Sequence, residues 1–164
     1  MSPELDKKLC EKYPELFRDR NANPHKTAMC WGFECGDAWY ALIDSICEHL
    51  MAGVNRLEDR IKAEFYEEED KSKFREELIE ARKNIPVVFQ VKEKFGGLRF
   101  YVDGATKEQY DYIHFAENFS YRICEDCGTT NNVRTYTWGW HRTLCYDDAA
   151  KRFGADVVEK LENE

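Results

Sequence analysis

Val87-Val88-Phe89-Gln90-Val91-Lys92-Glu93-Lys94-Phe95-Gly96-Gly97-Leu98-Arg99-Phe100-Tyr101-Val102 consists of two β-forming runs on either side of a glycine pair. The first run follows Pro86 and is rich in β-branched residues; the second alternates apolar and polar side chains. Two such runs about Gly96-Gly97 predict an antiparallel hairpin, ended by Asp103-Gly104.

The flanking sequence reads as helix. Residues 3–17 hold Leu5, Leu9 and Phe17 among charges and read as a short helix interrupted by proline, followed by a loop at residues 21–25. Trp39, Leu42, Ile43, Ile46, Cys47 and Leu50 share one face at helical spacing, which predicts a helix from Asp37, as N-cap, to about Met51, with Gly53 ending it. Thr106 is expected to cap a helix with Tyr112, Phe115, Phe119 and Ile123 on one face. Residues 133–138 read as a strand, and Cys145 begins a final helix. The expected fold is α+β, a small antiparallel sheet packed against several helices.

Residues 58–83 are dominated by charge. Leu57, Ile61 and Phe65 form one apolar stripe and Phe74, Leu78 and Ala81 another, separated by Glu67-Glu68-Glu69-Asp70. This predicts an acidic helical insertion at about residues 57–84, as two helices or one long projecting helix. Its charge serves as a solvated face or as a surface for a basic partner.

The C-terminal part, residues 124–164, opens on Cys124-Glu125-Asp126-Cys127, answered by Cys145 and Asp148 eighteen and twenty-one residues after Cys127. Paired cysteines at this spacing suit a structural zinc ion in a knuckle or treble-clef-like module packed on a core of residues 1–123. The fourth ligand is Asp148, with His141 as the alternative. A closed site holds the fold together; one with a labile fourth ligand is open to chemistry. Thiols that serve only as core residues are the reading without a metal.

Length and composition set further bounds. At 164 residues the chain is expected to be one domain, or one with a metal-held appendage. It has no apolar run of about 18 residues, and its start lacks a signal peptide's basic and apolar regions, so a soluble, cytoplasmic protein is expected. Seven cysteines, an odd count, favour reduced thiols over a disulfide framework. A net charge of −8 argues against a general affinity for nucleic acid, which needs a basic surface, and leaves room for a local basic pocket.

Two further stretches are candidate ligand sites. In Trp31-Gly32-Phe33-Glu34-Cys35-Gly36-Asp37-Ala38-Trp39, the indoles of Trp31 and Trp39 flank the carboxylates of Glu34 and Asp37, a set that stacks a flat group and bonds its polar edge. The alternative is that the indoles are core and Asp37 only caps a helix. Around Gly96 and Gly97, the cations of Lys94 and Arg99 converge beside Tyr101 and exposed amides, which suits a phosphate or carboxylate. The alternative there is a solvated hairpin face. No nucleophile elbow, dinucleotide fingerprint or phosphate-binding loop occurs.

These pieces, residues 31–39, 91–101 and the Cys124, Cys127 and Thr143-Leu144-Cys145 positions, resemble a widespread family of small bacteriophage and prophage proteins. Members commonly carry a second Cys-x-x-Cys where this chain has Cys145 and Asp148. The resemblance implies a phage origin, the cytoplasm of an infected bacterial host and a zinc-ribbon-like end. By analogy of context, small accessory phage proteins without catalytic motifs often act against host defences, by binding a host protein or sequestering a nucleotide signal. The expected function is non-enzymatic binding of a phosphorylated, base-containing ligand. A protein-interaction inhibitor acting through the acidic helices, by nucleic-acid mimicry among other routes, and a metal-dependent hydrolase with Asp148 as labile ligand are the alternatives.

Overall fold

A computed structural model describes residues 1–137 and 139–162. The described chain is α+β. Helix α1 is Pro3–Lys12, α2 Tyr40–Lys62 and α3 Glu68–Lys83; strands β1, Val87–Lys94, and β2, Gly97–Asp103, follow. Then come α4, Lys107–Ser120; β3, Val133–Tyr136; β4, Arg142–Cys145; α5, Tyr146–Phe153; and α6, Ala155–Glu162. The strands form two antiparallel two-stranded sheets, β1–β2 and β3–β4. No described helix is long and apolar enough to cross a membrane.

The hairpin turns one residue earlier than the glycine pair suggests. Phe95 and Gly96 both take positive φ, 56° and 76°, as a type I′ turn requires, and Gly97 already belongs to β2. The register Gln90↔Tyr101, Lys92↔Arg99, Lys94↔Gly97 then fixes the two faces. Val88, Val91, Leu98, Phe100 and Val102 are buried with Ile43, Ile46 and Leu50 of α2 in the main core. A two-stranded ribbon exposes two edges, and both are occupied here. Along β2, the Leu98 and Phe100 amides donate to Ser120 Oγ and Glu117 Oε1 of α4, at 2.9 and 2.8 Å. Along β1, Val88 donates to the Leu16 carbonyl, while Glu34 exchanges backbone hydrogen bonds with Val91 and Glu93.

Three helix readings need correction. Gly53 does not end α2, which runs on to Lys62 because Met51 and Val54 are buried on the same face as Leu50; burial outweighs the roughly 1 kcal/mol a helical glycine costs. Asp37 does not cap it: residues Asp37–Trp39 form a 3₁₀ turn, and the Asp37 carboxylate accepts from the Ser2 amide at 2.6 Å. On α4 the Thr106–Gln109 capping box forms, but Ile113, Ala116 and Ser120 face inward. Phe115 is 64% exposed and stacks on Phe119. Small residues at 116 and 120 let this helix lie close to β2, an advantage that ring hydrophobicity does not reveal.

The acidic stretch is a helical hairpin: α3 packs back on α2 without a buried residue of its own. Arg82 of α3 bridges Glu58 and Glu15. Glu68, Glu69 and Asp70 occupy the first turn of α3, where negative charge opposes the helix dipole favourably.

A second, smaller core begins at Cys124. It comprises Cys124, Tyr136, Leu144, Cys145, Ala149 and Val158, with Val133, Tyr146, Phe153 and Leu161 at its rim. The final helix is broken in two at Gly154, φ 92°. Of the predicted strand 133–138, β3 takes Val133–Tyr136, and Trp138 lies outside the described residues. Residues 163 and 164 of the predicted module lie outside them too.

Candidate functional site

Two independent pieces of backbone bring the cysteines together. The segment from Cys124 to Gly128 curls into a knuckle: Gly128 N–H donates to the Cys124 carbonyl at 2.9 Å, and Cys124 N–H to Thr129 O at 2.8 Å. Cys145 ends β4 as the residue preceding α5, and Asp148 sits in that helix's first turn. Each of Cys124, Cys127, Cys145 and Asp148 contributes one donor atom to a set lying within 4.8 Å of one another. Asp148 Oδ2 is 3.3 Å from Cys124 Sγ and 3.4 Å from Cys145 Sγ, and Cys127 Sγ is 3.7 Å from Cys145 Sγ. A tetrahedral zinc ion about 2.3 Å from sulfur and about 2.1 Å from oxygen needs edges of about 3.8 Å between sulfurs and about 3.6 Å between sulfur and oxygen. The donor set fits that ion.

The outer contacts orient these donor side chains. Lys151 holds the other Asp148 oxygen at 2.9 Å, leaving Oδ2 directed at the thiols. Asp126 ties the knuckle to β4 and α5 through Arg142 at 2.8 Å and Arg152 at 3.0 Å. Glu125, buried beside it, accepts from Thr143 N–H at 2.7 Å. Hydrogen bonds from Cys127, then Lys151 and the other two thiols, hold the Asp148 carboxyl well below the usual range. The same Asp148 contact pushes the Cys127 thiol up to about 12. A divalent ion among these groups inverts that balance, because a coordinating thiol is deprotonated outright. A cavity of about 530 Å³ opens on the Cys127, Cys145 and Asp148 side, with Asn131, Asn132 and Lys151 on its walls.

His141 takes no place in this set. Its ring packs edge-on against Phe95 at 5.6 Å. We therefore expect Asp148→Ala to weaken metal retention in a chelator competition and His141→Ala to leave it unchanged; the reverse pattern would move the fourth ligand to His141.

No family model, curated protein or solved structure matches the chain.

The predicted ligand residues divide into two groups. Glu34, Lys94, Arg99 and Tyr101 come together on the outer face of β1–β2, where Lys92, part of the same stretch though not chosen as a ligand residue, lies between them. Glu34 accepts from Gln90 Nε2 at 3.2 Å, and Tyr101 stacks on Phe89. Arg99 donates to Tyr121 Oη at 2.9 Å and to the Leu98 carbonyl. Among the described residues, no carboxylate forms an ion pair with Lys92, Lys94 or Arg99.

Trp39 and Asp37 do not join them. Trp39 is 1% exposed and belongs to the core, whereas Trp31 is 70% exposed. Asp37 is engaged by Ser2. The glycines serve close packing: a Cβ on Gly97 would fall 2.3 Å from the Tyr121 ring, and one on Gly96 would fall 2.9 Å from Thr143 Oγ1. A Cβ on Gly36 would meet the Glu125 carbonyl at 3.0 Å. Gly36 and Gly96 thus form the seam on which the cysteine module rests against the main core. Phe95 at this seam is a bulky residue in left-handed backbone, a conformation costing on the order of 1–3 kcal/mol. Its unusual place was legible only once the turn was set at Phe95-Gly96.

Proposed function

We propose that this chain is a zinc-held, non-catalytic binding protein. In this reading Cys124, Cys127, Cys145 and Asp148 hold one structural Zn²⁺, and the ion fixes the C-terminal module against the hairpin. The observation that carries it is the convergence of four donor atoms within 4.8 Å of one another, three of whose mutual distances, 3.3, 3.4 and 3.7 Å, suit a tetrahedral ion. The module's small core supports it too, since units of this size usually need a metal or disulfide staple. Elemental analysis of protein purified without added metal should give about one zinc per chain. A metal-free protein whose melting temperature ignores chelator would refute the proposal.

For the ligand, we propose a phosphorylated, base-containing molecule taken on the outer face of the hairpin. Lys92, Lys94 and Arg99 lie on one face without a paired carboxylate, so their charge is available to an anion although Arg99 also donates to Tyr121 and the Leu98 carbonyl. In the setting suggested by the phage-family resemblance, such a protein would withdraw a nucleotide signal from a host defence. Lys94 is exposed, so Lys94→Ala should leave the fold intact and weaken binding of nucleotides in calorimetry by about 1.5–3 kcal/mol. Unchanged affinity would remove the hairpin face from the site.

A further inference from the structure

Where the hairpin tip meets the β3–β4 turn, Glu93, Lys94, Phe95, Trp140 and His141 line a cleft of about 250 Å³. Trp140 is 86% and Phe95 59% exposed, a large aromatic area to leave in water at one spot. Lys94 Nζ lies 5.3 Å above the Phe95 ring, and His141 meets that ring edge-on. Glu93 holds the Gly96 amide with one carboxylate oxygen at 2.7 Å, keeping the other for a donor. The tip also departs from turn chemistry. Its first position, with φ 56°, suits Asn, Asp or Gly, yet it carries a phenylalanine whose ring faces the cleft.

Stacking surfaces, an acceptor at the edge and an unpaired cation together describe a flat base with a donor group and a phosphate. We propose that this cleft seats the base of a mononucleotide against Phe95 and Trp140, with its phosphate toward Lys94. The proposal rests on the phosphorylated-ligand reading and adds the place and residues that take the base. The cleft is the size of a single nucleotide, and the net charge of −8 repels a long polyanion far more than one phosphate.

The test is calorimetry on the zinc-loaded protein with the four common ribonucleoside monophosphates, their nucleosides, inorganic phosphate and a ten-residue oligothymidylate. At least one monophosphate should bind, its nucleoside about tenfold or more weakly. Trp140→Ala should weaken the monophosphate by roughly tenfold or more and leave zinc content unchanged. Phe95→Asn should also weaken it while raising the melting temperature by about 2–4 °C, since Asn tolerates the left-handed turn. If monophosphates bind Trp140→Ala and Phe95→Asn as tightly as the unaltered protein, the cleft is overturned and the hairpin face stands. If no monophosphate binds, both fall. A nucleoside binding as well as its monophosphate keeps the aromatic seat but overturns the phosphate reading. An oligonucleotide binding far more tightly than any monophosphate overturns the mononucleotide proposal in favour of a nucleic-acid surface.

Discussion

Cys127→Ser is expected to abolish zinc retention and unfold the C-terminal module while the main core remains folded. Cys127 is exposed, so its replacement removes almost no packing, and the loss reports the metal alone. Under the proposed zinc reading the module has few alternatives to the ion: six buried residues form its core, and two of them, Cys124 and Cys145, belong to the donor set. Structural zinc contributes apparent binding free energies of about 10–16 kcal/mol in small metal-held units, most of it coupled to folding. Hydrogen exchange should therefore show protection lost across β3, β4, α5 and α6. Protection should persist in α2 and β1–β2, whose residues belong to a separate cluster. Full zinc content in the variant would show that the ion is held elsewhere.

The second large effect separates two tryptophans that look alike in the sequence. Trp39→Ala should destabilise the protein by about 3–5 kcal/mol, because the residue is 1% exposed and its removal leaves a cavity beside α2. Trp31→Ala, at a site 70% exposed, should change stability by no more than about 0.5 kcal/mol. Trp39→Phe should recover much of the loss: the indole N–H has no hydrogen-bond partner among the described residues, so replacing it removes an unsatisfied buried donor. Denaturant unfolding followed by far-ultraviolet dichroism measures all three. Equal effects at both positions would contradict the core placement of Trp39.

The parts of the fold legible in the sequence are those with local causes. The hairpin follows from β-branched alternation around glycine, α4 begins where Thr106 and Gln109 form their reciprocal cap, and the cysteine cluster follows from ligand spacing. The misread parts depend on packing partners far along the chain. Gly53 remains helical because residues on the same face are buried, and α4 turns its small residues inward because β2 needs close approach and the Ser120 hydroxyl. The candidate site was legible only in part for the same reason. Its motifs were visible, but Gly36 and Gly96 contact the cysteine module rather than a pocket, and Trp140 carries no motif of its own.

The seam cleft has one wall on each β-hairpin: Phe95 comes from the β1–β2 turn, and Trp140 and His141 from the connection between β3 and β4. Whatever bridges those walls favours the docked arrangement, which is the arrangement that a zinc ion in the module also favours. Two ligands that stabilise one state must raise each other's affinity by the same factor. At equilibrium with a competing chelator, filling the cleft should therefore leave more of the metal on the protein.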